Sequence, residues 1–193
     1  KDVWLEKGKL VEAPVAANLQ VITQNMNAID RLAQGVGQDI AVMVIPSAGW
    51  AAGVEGYSDE DTLNAIYAKA GDRIHPVAVE DIFRDHPELY YNTDHHWTSQ
   101  GAYYGYKAFT EAVGRNCRAS KDFEVTVKEG FRGSTYSRSA LWLTKPETIE
   151  LWQGCEGLTV TNLESENVHK GAFYLERLAG ADKYTVFPDG NHS

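Results

Sequence analysis

Ile40-Ala41-Val42-Met43-Val44-Ile45 is a run of six apolar residues closed by Pro46, and it narrows the folds open to this chain more than any other segment. A strand apolar at every position has no face to give to water, so it belongs inside a parallel sheet covered by helices on both sides. The flanking sequence supplies such helices. Asn18 is a candidate N-cap for a helix over 19–34 with Leu19, Ile22, Met26, Ile29 and Ala33 on one face, and Gly35 and Gly37 stop it. Beyond the run, Ser58 with Asp61 makes a capping-box-like start, with Asp in place of the usual Glu or Gln. The helix that follows carries Leu63, Ile66, Tyr67 and Ala70 on one stripe and ends at Gly71. Val77-Ala78-Val79 reads as the next parallel strand, and Thr98 can cap a third helix with Ala102, Tyr106, Phe109 and Val113 inward. This is βαβ logic, whose crossovers are right-handed.

After about residue 120 the pattern changes. Phe123, Val125 and Val127 alternate with polar or charged neighbours, as on a half-buried strand. Residues 148–152, 158–160, 172–175 and 184–187 are further short strand candidates, and helical periodicity is weak. The expected organisation is an α/β core over 1–118 and a β-rich insertion or subdomain over 119–193, divided within residues 115–122. A chain of 193 residues suits one domain with a sizeable insertion.

Charge and composition remove several function classes. A net charge of −9 argues against a nucleic-acid or anionic-membrane partner, both of which want clustered Lys and Arg. No apolar run reaches the roughly 18 residues of a membrane span. Neither Gly-x-Gly-x-x-Gly nor Gly-Lys-Ser/Thr occurs, so dinucleotide and phosphate-loop chemistry find no support. Cys117 and Cys155 are too few for a zinc pattern and stay open between one disulfide and two free thiols. No cofactor is expected.

The chemistry-bearing stretch is Thr93-Asp94-His95-His96-Trp97-Thr98, followed by Gly101-Ala102-Tyr103, between a strand and the third helix. Loops at strand ends of α/β folds are where sites gather. If the loop turns both side chains to one cleft, the Asp94 carboxylate takes the imidazole Nδ1–H of His96 and stabilises the imidazolium. The Nε2 atom is then free to act as general base on a hydroxyl. Bare Asp-x-His is common by chance; the longer string is far more specific.

That string resembles the bacterial DHHW family, a relative of the SGNH-type hydrolases and of the alginate O-acetylation proteins. The likeness takes in the Ile40–Pro46 segment, the Asp94–Trp97 motif, Gly133-Ser134-Thr135-Tyr136-Ser137 and Gly190-Asn191-His192. It implies an SGNH-like three-layer sandwich with a parallel sheet. It further implies a secreted esterase or O-acyltransferase acting at the cell envelope, extracellular or envelope-bound, on acyl esters of a polysaccharide or with an acyl donor. Asp94 would be the orienting acid and His96 the base. His95 and Trp97 would shape the substrate side of the loop, Tyr104 would line the cleft, and Asn191 would be a candidate oxyanion donor, although Asp189-Gly190-Asn191 is also an ordinary turn sequence. No metal is expected at the site.

The nucleophile is the departure from that pattern. No Gly-Asp-Ser or Gly-x-Ser-x-Gly elbow follows an apolar strand, and Ser134 and Ser137 are the internal candidates. The expectation is a fold incomplete at the C-terminus, with the serine outside this chain and an open sheet edge favouring self-association. Two other readings remain. One is a non-catalytic glycan-binding or scaffold domain. The other is a metal-dependent phosphoesterase, which would need further carboxylates at strand ends; the Asp59-Glu60-Asp61 cluster sits instead at a helix start. His75, His86, His169 and His192 are isolated and read as surface or packing residues. Trp142 and Trp152 could stack on sugars, with core packing the preferred role.

Overall fold

A computed structural model describes residues 3–139, 141–161, 168–180 and 183–187. It is a mixed α/β structure with small sheets. In chain order the elements are β1 (Val3–Glu6), β2 (Lys9–Glu12), α1 (Leu19–Val36), β3 (Ile40–Met43), α2 (Ala48–Ala51), α3 (Asp59–Tyr67), β4 (Ile74–Val77), α4 (Glu80–Asp85) and α5 (Ser99–Ala112). β5 (Glu124–Phe131), α6 (Ser134–Ser139), β6 (Glu147–Gln153), β7 (Thr159–Thr161) and β8 (Val168–Lys170) follow. Among the described residues the strands pair two by two: β3 with β4 in parallel, and β1 with β2, β5 with β6 and β7 with β8 antiparallel.

Helix ends obey local chemistry. Asn18 Oδ1 accepts from the Val21 amide and opens α1, and Gly37, at φ +66°, closes it in the left-handed conformation a glycine adopts freely. Gly35 lies inside the helix rather than stopping it. Thr98 caps α5 by accepting from the Gly101 amide. Ser58 makes no side-chain cap on α3. Asp59 turns back instead, taking the Ser47 amide at 2.5 Å and the Ser47 hydroxyl at 2.9 Å, and so ties the start of α3 to the start of α2.

Several expectations shift. The parallel strands are β3 and β4, and the second ends at Val77 instead of spanning 77–79. β3 is half-buried at all four positions, because one partner strand cannot enclose it as a wide sheet would. On α5 the buried positions are Gly101, Gly105 and Thr110, whereas Tyr106 and Val113 face outward. Val125 and Val127 of β5 are exposed; β6 carries the buried face of that hairpin through Ile149 and Leu151. The strands expected over 172–175 and 184–187 do not form; 3-10 turns run over Leu175–Ala179 and Lys183–Val186 instead.

Two apolar cores result. One gathers Val77, Val79, Phe83, Leu89 and Tyr90, with Trp97 and Phe109 packed against them. The other gathers Tyr91, Phe131, Ile149, Leu151 and Val186, with Phe173, Tyr184 and Phe187 around them. Tyr90 and Tyr91 are chain neighbours, so the backbone leading into the Asp-His-His-Trp loop is anchored in both cores at once. That double anchoring fixes the base of the loop.

Candidate active site

The loop is closed at its base by backbone pairing. Tyr90 bridges Trp97 in antiparallel fashion, the Tyr91 amide donates to His96 O at 3.2 Å, and the Thr98 amide donates to Leu89 O at 2.7 Å. Gly101 lets α5 approach this base, since a Cβ there would meet Leu89 O at 2.5 Å. Trp97 packs its ring 6.0 Å from Phe83 and lies over Gly105. Trp97 thus ties the loop to the core and also lines the cavity beside it.

Distant side chains hold the tip. The Glu147 carboxylate accepts from the Asn92 amide, the Thr93 amide and the Thr93 hydroxyl, each at 2.7 Å. Lys9 donates to Tyr90 O at 2.7 Å and to Asn92 Oδ1 at 3.0 Å. Burial pulls the Lys9 ammonium down to about 8, against the opposing pull of Glu147 and Glu88. From the other side, the Tyr136 amide donates to Thr93 O at 3.0 Å and the Gly133 amide to Thr93 Oγ1 at 3.2 Å. Sequence reasoning missed Lys9 and Glu147, which reach the loop across 54 or more positions and carry no local signal, and it named Gly133 only within the Gly133–Ser137 string, without this role.

Asp94 is wholly buried at the centre. Its Oδ1 accepts from the His95 amide at 2.8 Å and from Ser134 Oγ at 2.9 Å, and lies 3.1 Å from His95 Nδ1. Its Oδ2 lies 3.2 Å from His96 Nδ1. That contact is an ion-pair distance without hydrogen-bond alignment, and neither atom has a hydrogen-bond partner among the described residues. Burial raises the Asp94 carboxyl, but the close contact and charge of the His95 and His96 imidazoles outweigh it and hold the group well below the usual carboxylate range. One carboxylate therefore faces both imidazoles.

The rings follow one another in close contact. His95 and His96 have centroids 3.9 Å apart, and Tyr184 lies 3.8 Å from His96 at an interplanar angle of 11°. The side chain of His96 is 19% exposed and that of His95 47%. Both line a cavity of about 650 Å³, inside the range of small-molecule sites. The apolar wall includes Leu10, Val11 and Ile45, and its polar rim includes Ser47, Asp59 and Arg138. Arg138 is clamped to Glu12, whose Oε1 also accepts from Thr135 at 3.2 Å and lies 3.8 Å from His95 Nδ1.

The remaining candidates separate from this centre. Tyr104 lines a different cavity with His86, its ring 6.2 Å from that imidazole, so it does not line the cleft. Asn191, with the Gly190-Asn191-His192 string, lies outside the described residues. Ser137 bonds the Gly133 carbonyl at 3.3 Å. Ser134 reaches the site but bonds the acid, and lies 3.4 Å from His95 Nδ1. Among the described residues no serine is hydrogen-bonded to His96. Cys117 and Cys155 are free thiols. Donor atoms of Asp94, His95 and His96 lie within 4.8 Å of one another, a spacing one metal ion could bridge.

A family model described as "DHHW protein" matches residues 28–187. Several solved structures share the fold. Bacillus cereus PatB1 with a sulfonyl adduct aligns at TM-score 0.76 and 17% identity, over 98% of this chain and 71% of that one. A DHHW family protein from Eubacterium siraeum aligns at TM-score 0.75 and 22% identity, over 98% and 67%. Bacillus cereus PatB1 in a second structure aligns at TM-score 0.69 and 17% identity, over 96% and 71%. No curated protein matches the chain. No helix of the described residues is long and apolar enough to cross a membrane.

Proposed function

The chain belongs to the DHHW family, and from that membership we propose that it is part of an SGNH-like esterase or O-acyltransferase acting on acyl esters of an envelope polysaccharide. The observation that carries the reading is the buried Asp94 carboxylate facing the Nδ1 atoms of both histidines beside a cavity of about 650 Å³. In this reading Asp94 orients His96 and stabilises the imidazolium form. His96 Nε2 takes the proton from a serine hydroxyl as the oxygen attacks the acyl carbonyl, then returns it to the leaving alkoxide. Water or a sugar hydroxyl attacks the acyl-enzyme next, which decides between hydrolysis and transfer. No described residue supplies that serine. Ser134 is bonded to the acid, so its role is to hold Asp94 in place. The sulfonyl adduct on PatB1 supports the reading, because such an adduct is what an activated nucleophile leaves after attacking a sulfonyl electrophile.

Labelling with phenylmethanesulfonyl fluoride tests this. Intact mass and peptide mapping should show one modified serine, and both labelling and p-nitrophenyl acetate hydrolysis should vanish in Asp94→Asn and His96→Ala. Labelling unaffected by either substitution defeats the assignment. A protein that neither labels nor hydrolyses favours the alternative suggested by the lack, among the described residues, of a serine bonded to His96: a glycan-binding domain that retains the Asp-His pair without catalysis.

A further inference from the structure

A second cavity, of about 380 Å³, opens between α5 and β6 and takes no part in the site above. Its wall is built from Tyr103, Phe123, Trp152, Phe173 and Phe187, with Arg118 at the edge. Trp152 is the hub: its ring lies 5.3 Å from Tyr103 and 5.7 Å from Phe123, which meet each other edge-on at 5.9 Å. The indole N–H is fixed by the Glu150 carboxylate at 2.8 Å, so the ring plane is preset. These five aromatic residues are only half-buried, so their faces remain open to a ligand.

The lining selects among ligand classes. Ala102 is the only aliphatic side chain among the described residues that line the cavity, so its apolar wall is made almost wholly of flat aromatic faces. The only charged side chain there is Arg118, which lies 5.2 Å over the Phe123 ring and would repel a cationic guest. Flat aromatic faces with a guanidinium at the rim suit a pyranose ring, whose C–H face stacks on an indole while its hydroxyl, carboxylate or amide groups meet the cation. The ring contacts also lead back to the histidines. Phe173 lies 5.9 Å from Phe187, Phe187 lies 4.9 Å from Tyr184, and Tyr184 stacks on His96 at 3.8 Å.

The geometry points to a glycan subsite centred on Trp152, one that holds a sugar unit of the same polymer whose acyl group is processed at Asp94–His96. The identity of the polymer rests on the proposed acyl-transfer reading; the sugar-binding property does not. Chitotetraose and tetragalacturonate are the probes, titrated by calorimetry and by tryptophan fluorescence against the whole chain. At least one should bind saturably and quench the emission. Trp152→Leu, which keeps bulk and loses the aromatic face, should weaken that binding about tenfold, and Trp142→Leu on the exposed loop should bind like the parent. Arg118→Ala provides a second arm, weakening tetragalacturonate more than chitotetraose. Binding by neither oligosaccharide, or equal binding by the parent and a folded Trp152→Leu, overturns the subsite. Binding that depends on Trp152 in a protein without esterase activity supports the subsite and removes only the acyl-transfer reading.

Discussion

Gly133 is the position where a single methyl group should separate folding from site geometry. Its amide donates to Thr93 Oγ1, and a Cβ built there would fall on Cβ, Cγ and Oδ2 of Asp94. Carbon–carbon contact distance is roughly 3.5 Å, so Gly133→Ala forces either Asp94 or the start of α6 to move by about 1 Å. Both sides of that clash are buried, and Asp94 is held by His95, Ser134 and the Glu147-anchored loop, so relief is not cheap. Overpacking of this kind costs about 1–3 kcal/mol. In a domain of this size that lowers the Tm by roughly 2–12 °C. The effect on chemistry should be larger, since a displacement of about 1 Å in a positioned group can cost roughly 10²-fold in rate. Differential scanning calorimetry together with ester hydrolysis, or sulfonyl labelling where hydrolysis is too slow, measures both quantities. A variant with unchanged Tm and unchanged rate would refute the claim that Asp94 is seated against a residue with no side chain.

Glu147→Ala removes the shared acceptor of two amides and a hydroxyl; it should cost about 2–4 kcal/mol in urea denaturation and release protection of the Asn92 and Thr93 amides in hydrogen exchange. A loss under about 0.5 kcal/mol would show that water replaces the carboxylate. In acid, Asp94 is held below its ordinary 3.8, so the folded state binds fewer protons than the unfolded chain there. Its contribution is full above about pH 4 and is lost as pH falls further. Asp94→Asn should flatten that acid limb, and an unaltered limb would remove Asp94 as its source. Lys9 works at the other end: its folded pKa, about 8, lies below the unfolded 10.5, so stability from this group grows as pH rises between those values. Lys9→Met should abolish that rise, and a rise that survives the substitution would assign it elsewhere.

Local chemistry in the sequence was readable where one residue acts on its near neighbours. Asn18, Gly37 and Thr98 mark helix ends through hydrogen bonds and dihedrals that span a few residues. The Asp94–Trp97 string was readable because its residue types carry their chemistry with them. What failed depended on partners far along the chain. The apolar run at 40–45 looked like a strand buried on both faces, yet β3 has one partner among the described residues and stays half-buried. Val125 and Val127 alternate correctly for a strand, but apolar character does not say whether anything will cover them, and nothing described does. Ser58 met the rule for a cap and lost its place because Asp59 found Ser47, 12 positions upstream, to bond. Ser134 was singled out as a hydroxyl in the right string; its bond to the acid instead of the base is a matter of three-dimensional placement.

The anchoring of the loop by Lys9 from one side and by Gly133, Ser134 and Glu147 from the other also sets a clock. Glu147 lies 54 residues beyond Thr93, so the acid-bearing tip cannot take its final shape in a nascent chain until the hairpin of β5 and β6 has emerged and docked. Whatever this loop does, it does only after synthesis has passed that point.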